Sequence, residues 1–219
     1  MTDREPLRQR LTSGLATLAL PLPAPIIERL LDYIDLLLRW NAAYNLTAVR
    51  EAEEMVTRHL LDSLAILPHV HGTRLADLGA GAGLPGIPLA LAREFDDVLL
   101  VDSNGKKARF LREAVRRLAL HTTRVAEQRV QAVEGQFDCI TARAFATLAD
   151  MLTWGGHLLA PEGRWLALKG RLAQDELDDL PAGFHIDAVH RLEVPGLDAE
   201  RHLLVIKRIP IPSPARVEP

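Results

Sequence analysis

"LADLGAGAGLPGIPLA", residues 75–90, places glycines at 79, 81, 83 and 86 behind an acidic residue, Asp77. Gly81-Ala-Gly83-Leu-Pro-Gly86 satisfies G-x-G-x-x-G, a spacing that lets a ligand approach the backbone closely when it joins a strand to a helix. Both neighbours fit. The stretch 74–78 reads as a strand, and a helix follows from about Pro85, a residue tolerated in a first turn. No Lys-Ser or Lys-Thr pair follows the glycines, which argues against a triphosphate loop. Asp102 closes the next strand, 97–102, where a carboxylate can accept hydrogen bonds from ribose hydroxyls.

Working outward, the rest of the chain alternates strands with helices. A helix is expected over 105–120 with Ser103 or Asn104 as its N-cap, strands over 122–128 and 136–143, and within 147–159 a helix at least to Trp154 that Gly155-Gly156 can end. A strand over 163–170, a short helix around 173–180, and two closing strands over 185–194 and 201–209 complete the pattern. Such alternation predicts an α/β fold, a doubly wound and mostly parallel seven-stranded sheet. Its ligands sit beyond the carboxyl ends of the strands, where strand order reverses. Residues 77–86, 102–106, 128–131, 141–145 and 169–171 should collect there, joined by 195–200 if the strand after 185 is also parallel. Upstream, 24–41 and 51–67 read as two amphipathic helices. The expected division is an N-terminal helical extension (1–72), a catalytic fold (73–209) and a disordered proline-rich tail (210–219).

Composition sets limits. The chain has 219 residues, 48% apolar, enough for a sizeable core. No apolar run reaches transmembrane length, and "MTDREPLRQRLTSG" lacks a signal-peptide pattern. The single cysteine, Cys139, excludes an internal disulfide and falls inside a strand, where a core role is expected over a nucleophilic one. The histidines lack zinc spacing, so no metal is expected. These features point to a cytoplasmic monomer. A net charge of −3 gives no global sign of nucleic-acid binding, so any such contact needs a local basic patch.

A dinucleotide and S-adenosylmethionine both suit the glycine loop. Asp77 at its front would repel a pyrophosphate and attract the ammonium and sulfonium of S-adenosylmethionine; the other role open to it is that of a local turn or cap residue. On the second helix, His59 reads either as a structural residue or as a functional one oriented by Asp62 across one turn. Asn45 caps or turns the chain between the two helices. Residues 104–124 hold seven basic side chains and one acid. Arg109, Arg112 and Arg116 align on the outward face of that helix, with Lys106 at its start. The row is either a solvated face or a ridge for RNA phosphates. Lys169 and Arg201 fall at the ligand edge and suit phosphate contact. Arg143 follows the fourth strand there, to orient cofactor or substrate or else to pair with a carboxylate. Phe145 reads as core or as a base-stacking ring.

"RHLLDSLAILPHV", "DLGAGAGLPGIPLA", "LLVDSNGKKARFL", "ITARAFATLADM", "ALKGR" and "VPGLDAERHLLVIKR" occur in this order between about residues 28 and 208. Together they resemble the RsmG (GidB) family of small-subunit ribosomal RNA methyltransferases, which modify a guanine at N7. The resemblance implies a seven-stranded class I methyltransferase sheet with an N-terminal helical extension, S-adenosylmethionine as cofactor, and 16S ribosomal RNA or the small subunit as substrate. It carries cofactor contact to Gly79, Leu84, Val130, Gln131 and Arg143, beside the Asp77, Gly81, Gly83 and Asp102 reached from the residues. Gln131 stands where the family commonly has an acid; its amide oxygen can still accept a bond from an adenine amino group. The chemistry fits. Guanine N7 has a free lone pair, so alignment matters and no general base is expected. No Asn/Asp-Pro-Pro-aromatic run for exocyclic amines is present. Two other classes stay open: a nicotinamide-dependent oxidoreductase and a non-catalytic, S-adenosylmethionine-sensing ribosome-binding module.

Overall fold

The computed structural model describes residues 4–143, 146–172 and 174–210. The expected tail beyond 210 and the ring of Phe145 lie outside these residues. Seven strands form one sheet: β1 (Arg74–Leu78), β2 (Asp97–Val101), β3 (Thr123–Ala126), β4 (Phe137–Arg143), β5 (Leu159–Lys169), β6 (Phe184–Arg191) and β7 (His202–Arg208). Their order is β3-β2-β1-β4-β5-β7-β6. Only β7 runs antiparallel to its neighbours. β6 is therefore parallel to the rest, and the loop leading into β7 does reach the carboxyl edge. The order reverses between β1 and β4, and that switch point faces the glycine loop.

β5 begins at Leu159, earlier than expected. Leu159 pairs with Phe137, and the register then slips before Cys139 meets Arg164. Gly163 permits this crossing, because a Cβ there would lie 3.0 Å from the Phe137 carbonyl. α7 (Leu148–Gly155) passes Trp154 and ends at the expected glycine pair. Its N-cap is Thr147, whose hydroxyl accepts from the Asp150 N–H. α6 (Gly105–Arg117) takes Asn104 as N-cap, its side chain accepting from the N–H groups of Lys106 and Lys107. α5 (Gly86–Ala92) has Pro85 at its N-cap, after a cis Leu84–Pro85 peptide bond. α8 spans Gln174–Asp178.

The upstream segment holds more helix than expected. α1 (Arg4–Thr17) precedes α2 (Ala24–Tyr44), and Asn45 ends α2 in a left-handed conformation. α1 buries only Leu7, Leu11, Gly14 and Leu15, too thin a stripe to stand out among its charges. Tertiary contact holds it: Arg4 donates to Asp35 at 3.0 Å, and a Cβ on Gly14 would lie 2.4 Å from Leu61. The next helix is not uniform. α3 (Ala52–Met55) widens into a π turn (Val56–Leu61) and closes as α4 (Asp62–Leu64).

Strand alternation divides the core in two. Leu75, Leu100, Cys139, Leu166, Leu168, Leu203 and Val205 pack with α1, α2, α5 and α6 on one face. Ala76, Leu78, Ile140, Trp165, Ala167, Leu204 and Ile206 pack with α7 on the other. The N-terminal helices thus share a core with the sheet. That parity also decides where each polar residue at the strand ends points.

Candidate active site

Asp77 follows Leu75 in the face covered by the helices, and it is fully buried. Its Oδ2 accepts from the Gly86 N–H at 2.9 Å and its Oδ1 from the Thr141 hydroxyl at 3.0 Å. Burial pushes its pKa up to about 7, against the pull of those two bonds and of the Arg143 charge. Gly86 must lack a side chain here, since a Cβ would lie 2.8 Å from Asp77 Oδ2. Asp77 thus turns both oxygens into the core, where the other role open to it, a local structural one, fits its partners. With both oxygens engaged inside the core, Asp77 braces the loop against α5, which is the local structural role. Gly83 and Leu84 likewise shape the loop from behind, their N–H groups donating to the Ala80 carbonyl at 2.7 and 3.0 Å.

A cleft of about 350 Å³ opens beside Gly79 at the carboxyl edge. Asp102, Asn104, Val130, Gln131 and Trp154 help to line it, with Lys107, Gln128 and Arg129. Asp102 lies just past the end of β2. Its Oδ2 accepts from the Gly81 N–H at 2.9 Å and its Oδ1 from the Asn104 N–H at 2.8 Å, while Lys107 Nζ stands 3.9 Å away. Unlike Asp77 it reaches the cleft, and each carboxylate oxygen keeps a lone pair for another donor. Gly81 adopts φ +60°, and a Cβ there would meet nothing nearer than 3.8 Å. Trp154 went unnoticed as a site residue because a helix tryptophan ordinarily reads as core. Tyr33 was equally hidden: from the buried face of α2 it donates to the Ala82 carbonyl of the glycine loop at 2.7 Å.

Strand parity sorts the edge cations. Arg143 follows Cys139 and Thr141 on the helix-covered face, and Arg201 shares the parity of Leu203 and Val205. Both meet Asp62. Its Oδ2 accepts from Arg143 Nη1 at 3.0 Å and its Oδ1 from Arg201 Nε at 2.9 Å. Asp62 does not orient His59, whose ring instead contacts the Thr47 hydroxyl at 2.9 Å. Burial, helped by the Arg143 charge, lowers the His59 pKa to about 4, so the imidazole is neutral. Lys169 has the opposite parity, that of Trp165 and Ala167. It turns to α8, donating to Glu176 and to the Ala146 carbonyl. Lys169 and Arg201 thus lie on opposite faces of the sheet edge, each beside a carboxylate, Glu176 and Asp62.

The α6 row is also less uniform than its spacing suggested. Arg112 pairs with Glu127 at 2.8 Å, and Arg116 and Arg117 share Glu113. Among the described residues Lys106 and Arg109 make no ion pair. Cys139 is buried, with its thiol pushed up to about 12 by desolvation, as suits a core residue. No group of residues suited to a metal ion occurs among the described residues.

Residues 26–204 match the family model described as GidB, rRNA small subunit methyltransferase G. The chain belongs to this family. A ribosomal RNA small subunit methyltransferase G from Xanthomonas campestris pv. campestris (strain 8004) is 56% identical over 200 residues, 90% of this chain and 93% of that protein. One from Stenotrophomonas maltophilia (strain K279a) is 54% identical, covering 90% and 92%. Solved structures share the fold. A magnesium protoporphyrin IX methyltransferase from Synechocystis PCC 6803 with bound SAM gives a TM-score of 0.57 at 14% identity, over 80% of this chain and 97% of that one. TrmN from Thermus thermophilus gives 0.55 at 20% identity, over 78% and 52%. Membership of the methyltransferase G family, rather than the charge of Asp77, separates a methyl donor from a dinucleotide.

Proposed function

We propose that this protein transfers the methyl group of S-adenosylmethionine to N7 of one guanine in 16S ribosomal RNA. The residues around the cleft fit that cofactor. Asp102 suits the ribose hydroxyls, Val130 and Gln131 an adenine edge, Trp154 an apolar ring face, and the backbone at Gly79 and Gly81 the methionine end. When bound, S-adenosylmethionine supplies an electrophilic methyl carbon. The chain must align a nucleophile with it and keep water away.

The family carries the choice of N7, and the residues at this edge agree with it: each carboxylate and the imidazole nearest the cleft already holds a partner. Asp62 is shared by two guanidiniums, Asp102 accepts two backbone N–H bonds, and the His59 imidazole contacts Thr47. A nucleophile that had to lose a proton first would need one of them. Guanine N7 has a free lone pair and needs none. Arg143 and Arg201, each with a partly exposed side chain, supply N–H donors for the RNA. Small-subunit ribosomal RNA is the substrate named by the family. The cytoplasm is where that RNA lies, and no described helix is long and apolar enough to cross a membrane. Large apolar side chains exposed among the described residues are few, Tyr44, Val189 and Ile209, which suits a monomer.

N7-methylguanine is cationic, and after reduction its ring opens, so aniline cuts the RNA there. Small subunits from cells lacking this gene, incubated with the protein and S-adenosylmethionine, should gain one aniline-sensitive guanine. Methyl incorporation without a cut would move the target to another atom. Incorporation into transfer RNA alone would overturn the ribosomal substrate.

A further inference from the structure

Tyr44 is one of the few large apolar side chains left exposed among the described residues. Its ring stacks on Trp40 with centroids 5.1 Å apart, and Trp40 meets the buried Phe110 edge-on at 5.7 Å. The rings form a ladder from core to surface, and Tyr44 is its open end. Asn45 ends α2 directly after it in a left-handed conformation, so no further turn of helix covers the ring. Cations lie over the rings of Phe95, Phe137 and Phe184, and none among the described residues lies over that of Tyr44. Helix register gives the ladder its place. Near the start of α2, Arg29 donates to the Leu118 carbonyl just past the end of α6, while further along Trp40 meets Phe110. The two helices therefore run antiparallel. One more turn on each brings Tyr44 level with Lys106, at the ligand edge where α6 begins.

We propose that Trp40 and Tyr44 form a stacking platform for an unpaired base of the RNA substrate, with Arg50, Lys106 and Arg109 taking the phosphates around it. This rests on the RNA methyltransferase reading above. Three features support it. First, the cations near the platform are free. Arg50 donates to Asn45 Oδ1 at 2.7 Å and to the Asn41 carbonyl at 3.2 Å, which sets its guanidinium beside Tyr44. Neither it nor Lys106 or Arg109 makes an ion pair among the described residues, whereas Arg112, Arg116 and Arg117 further along α6 are paired with Glu127 and Glu113. Second, the ring is already ordered. Trp40 holds one face of it, so a base that stacks on the other loses little to side-chain ordering. An aromatic face beside lysine and arginine is how single-stranded nucleic acid is gripped without sequence readout, and a chain of net charge −3 needs such a local grip. Third, the spacing suits a neighbour of the target. About three turns of α2, roughly 16 Å, separate Tyr44 from Tyr33, whose hydroxyl meets the glycine loop. The base on the platform is thus a flanking one and not the guanine that is methylated.

The test measures binding of unmethylated small subunits at several salt concentrations, with S-adenosylmethionine affinity read by calorimetry on the same proteins. Tyr44→Leu keeps an apolar side chain but no ring face. It should weaken subunit binding at least about fivefold, the low end of a lost base stack, while Tyr44→Phe stays within about twofold of wild type. Neither should alter the slope of log affinity against log salt. Lys106→Gln with Arg109→Gln should flatten that slope by roughly 1.4, about 0.7 for each single-strand phosphate. Cofactor affinity should be unchanged throughout. Wild-type binding by Tyr44→Leu, an equal loss in Tyr44→Phe, or a salt slope untouched by the double substitution would each overturn the proposal. Should Tyr44→Leu fail to fold, Tyr44→Trp decides: it keeps a ring and should bind at least as well as wild type, and weakened binding would overturn the proposal. A wild-type protein that binds small subunits yet transfers no methyl group would instead overturn the reading beneath it.

Discussion

The glycine loop and the fork that Arg143 and Arg201 form on Asp62 occupy one sheet edge and are built in opposite ways. The loop is held by bonds between near neighbours, Asp77 to Gly86 and Asp102 to Gly81, 9 and 21 residues apart. Its working surface is largely backbone. The fork joins a helix, a strand end and a late loop across 81 and 139 residues, and its working surface is side chain. The loop therefore depends on what cannot be added to it, and the fork on what holds it from outside. The N-terminal helices serve both, through Tyr33 beneath the loop and Asp62 behind the fork.

The largest effect should come from crowding the loop. Gly81→Val places a β-branched residue at φ +60°, a conformation costing an L-residue roughly 1–2 kcal/mol before any ligand contact is lost. S-adenosylmethionine affinity, read by calorimetry on folded protein, should fall at least about tenfold. Unchanged affinity would show that the loop tolerates side chains and would break the contrast with the fork.

A smaller effect separates bracing from charge at Asp77. Asparagine can keep both bonds, its carbonyl accepting from Gly86 and its amide donating to Thr141, so cofactor affinity should stay within a few-fold. Stability should change with pH instead. The folded pKa of Asp77 is raised to about 7 by burial, so its protonated form is favoured in the native state. The stability this gives is fully present below the ordinary carboxylate pKa of about 4 and is lost as pH rises through about 7. Urea unfolding from pH 4 to 8 should show wild type losing ground steadily against Asp77→Asn, by up to a few kcal/mol. Parallel profiles would place an ionised carboxylate in the core. A collapse of affinity in a stable Asp77→Asn would restore the direct ligand contact.

The same contrast explains what could be read from the chain. The glycine loop, Asp102 and the pair Val130-Gln131 were legible because strand, turn and helix follow one another within a few dozen residues. Parity along β4, β5 and β7 was also available. Counting alternate residues from Cys139 to Arg143, from Trp165 to Lys169 and from Arg201 to Leu203 separates Lys169 from the two arginines. Other features carry no local signal. The π turn differs from an α-helix by one hydrogen-bond step within an ordinary sequence, "VTRHLL". Tyr33 sits among the apolar residues of α2, and its bond to Ala82 exists only once the helices dock. α1 forms against Leu61 and Asp35 more than through its own pattern. The α6 row shows no sign of its pairing, because Glu127, the partner of Arg112, lies beyond the helix.

The central claim is that cofactor binding and RNA positioning are separable parts of one edge. An Arg201→Ala protein tests it in one measurement, S-adenosylmethionine calorimetry and methyl transfer to small subunits on the same sample. Affinity within a factor of about 2 of wild type, with transfer lowered about 10²-fold or more, is the expected result. Affinity and transfer falling together would contradict it, as would transfer that persists without Arg201.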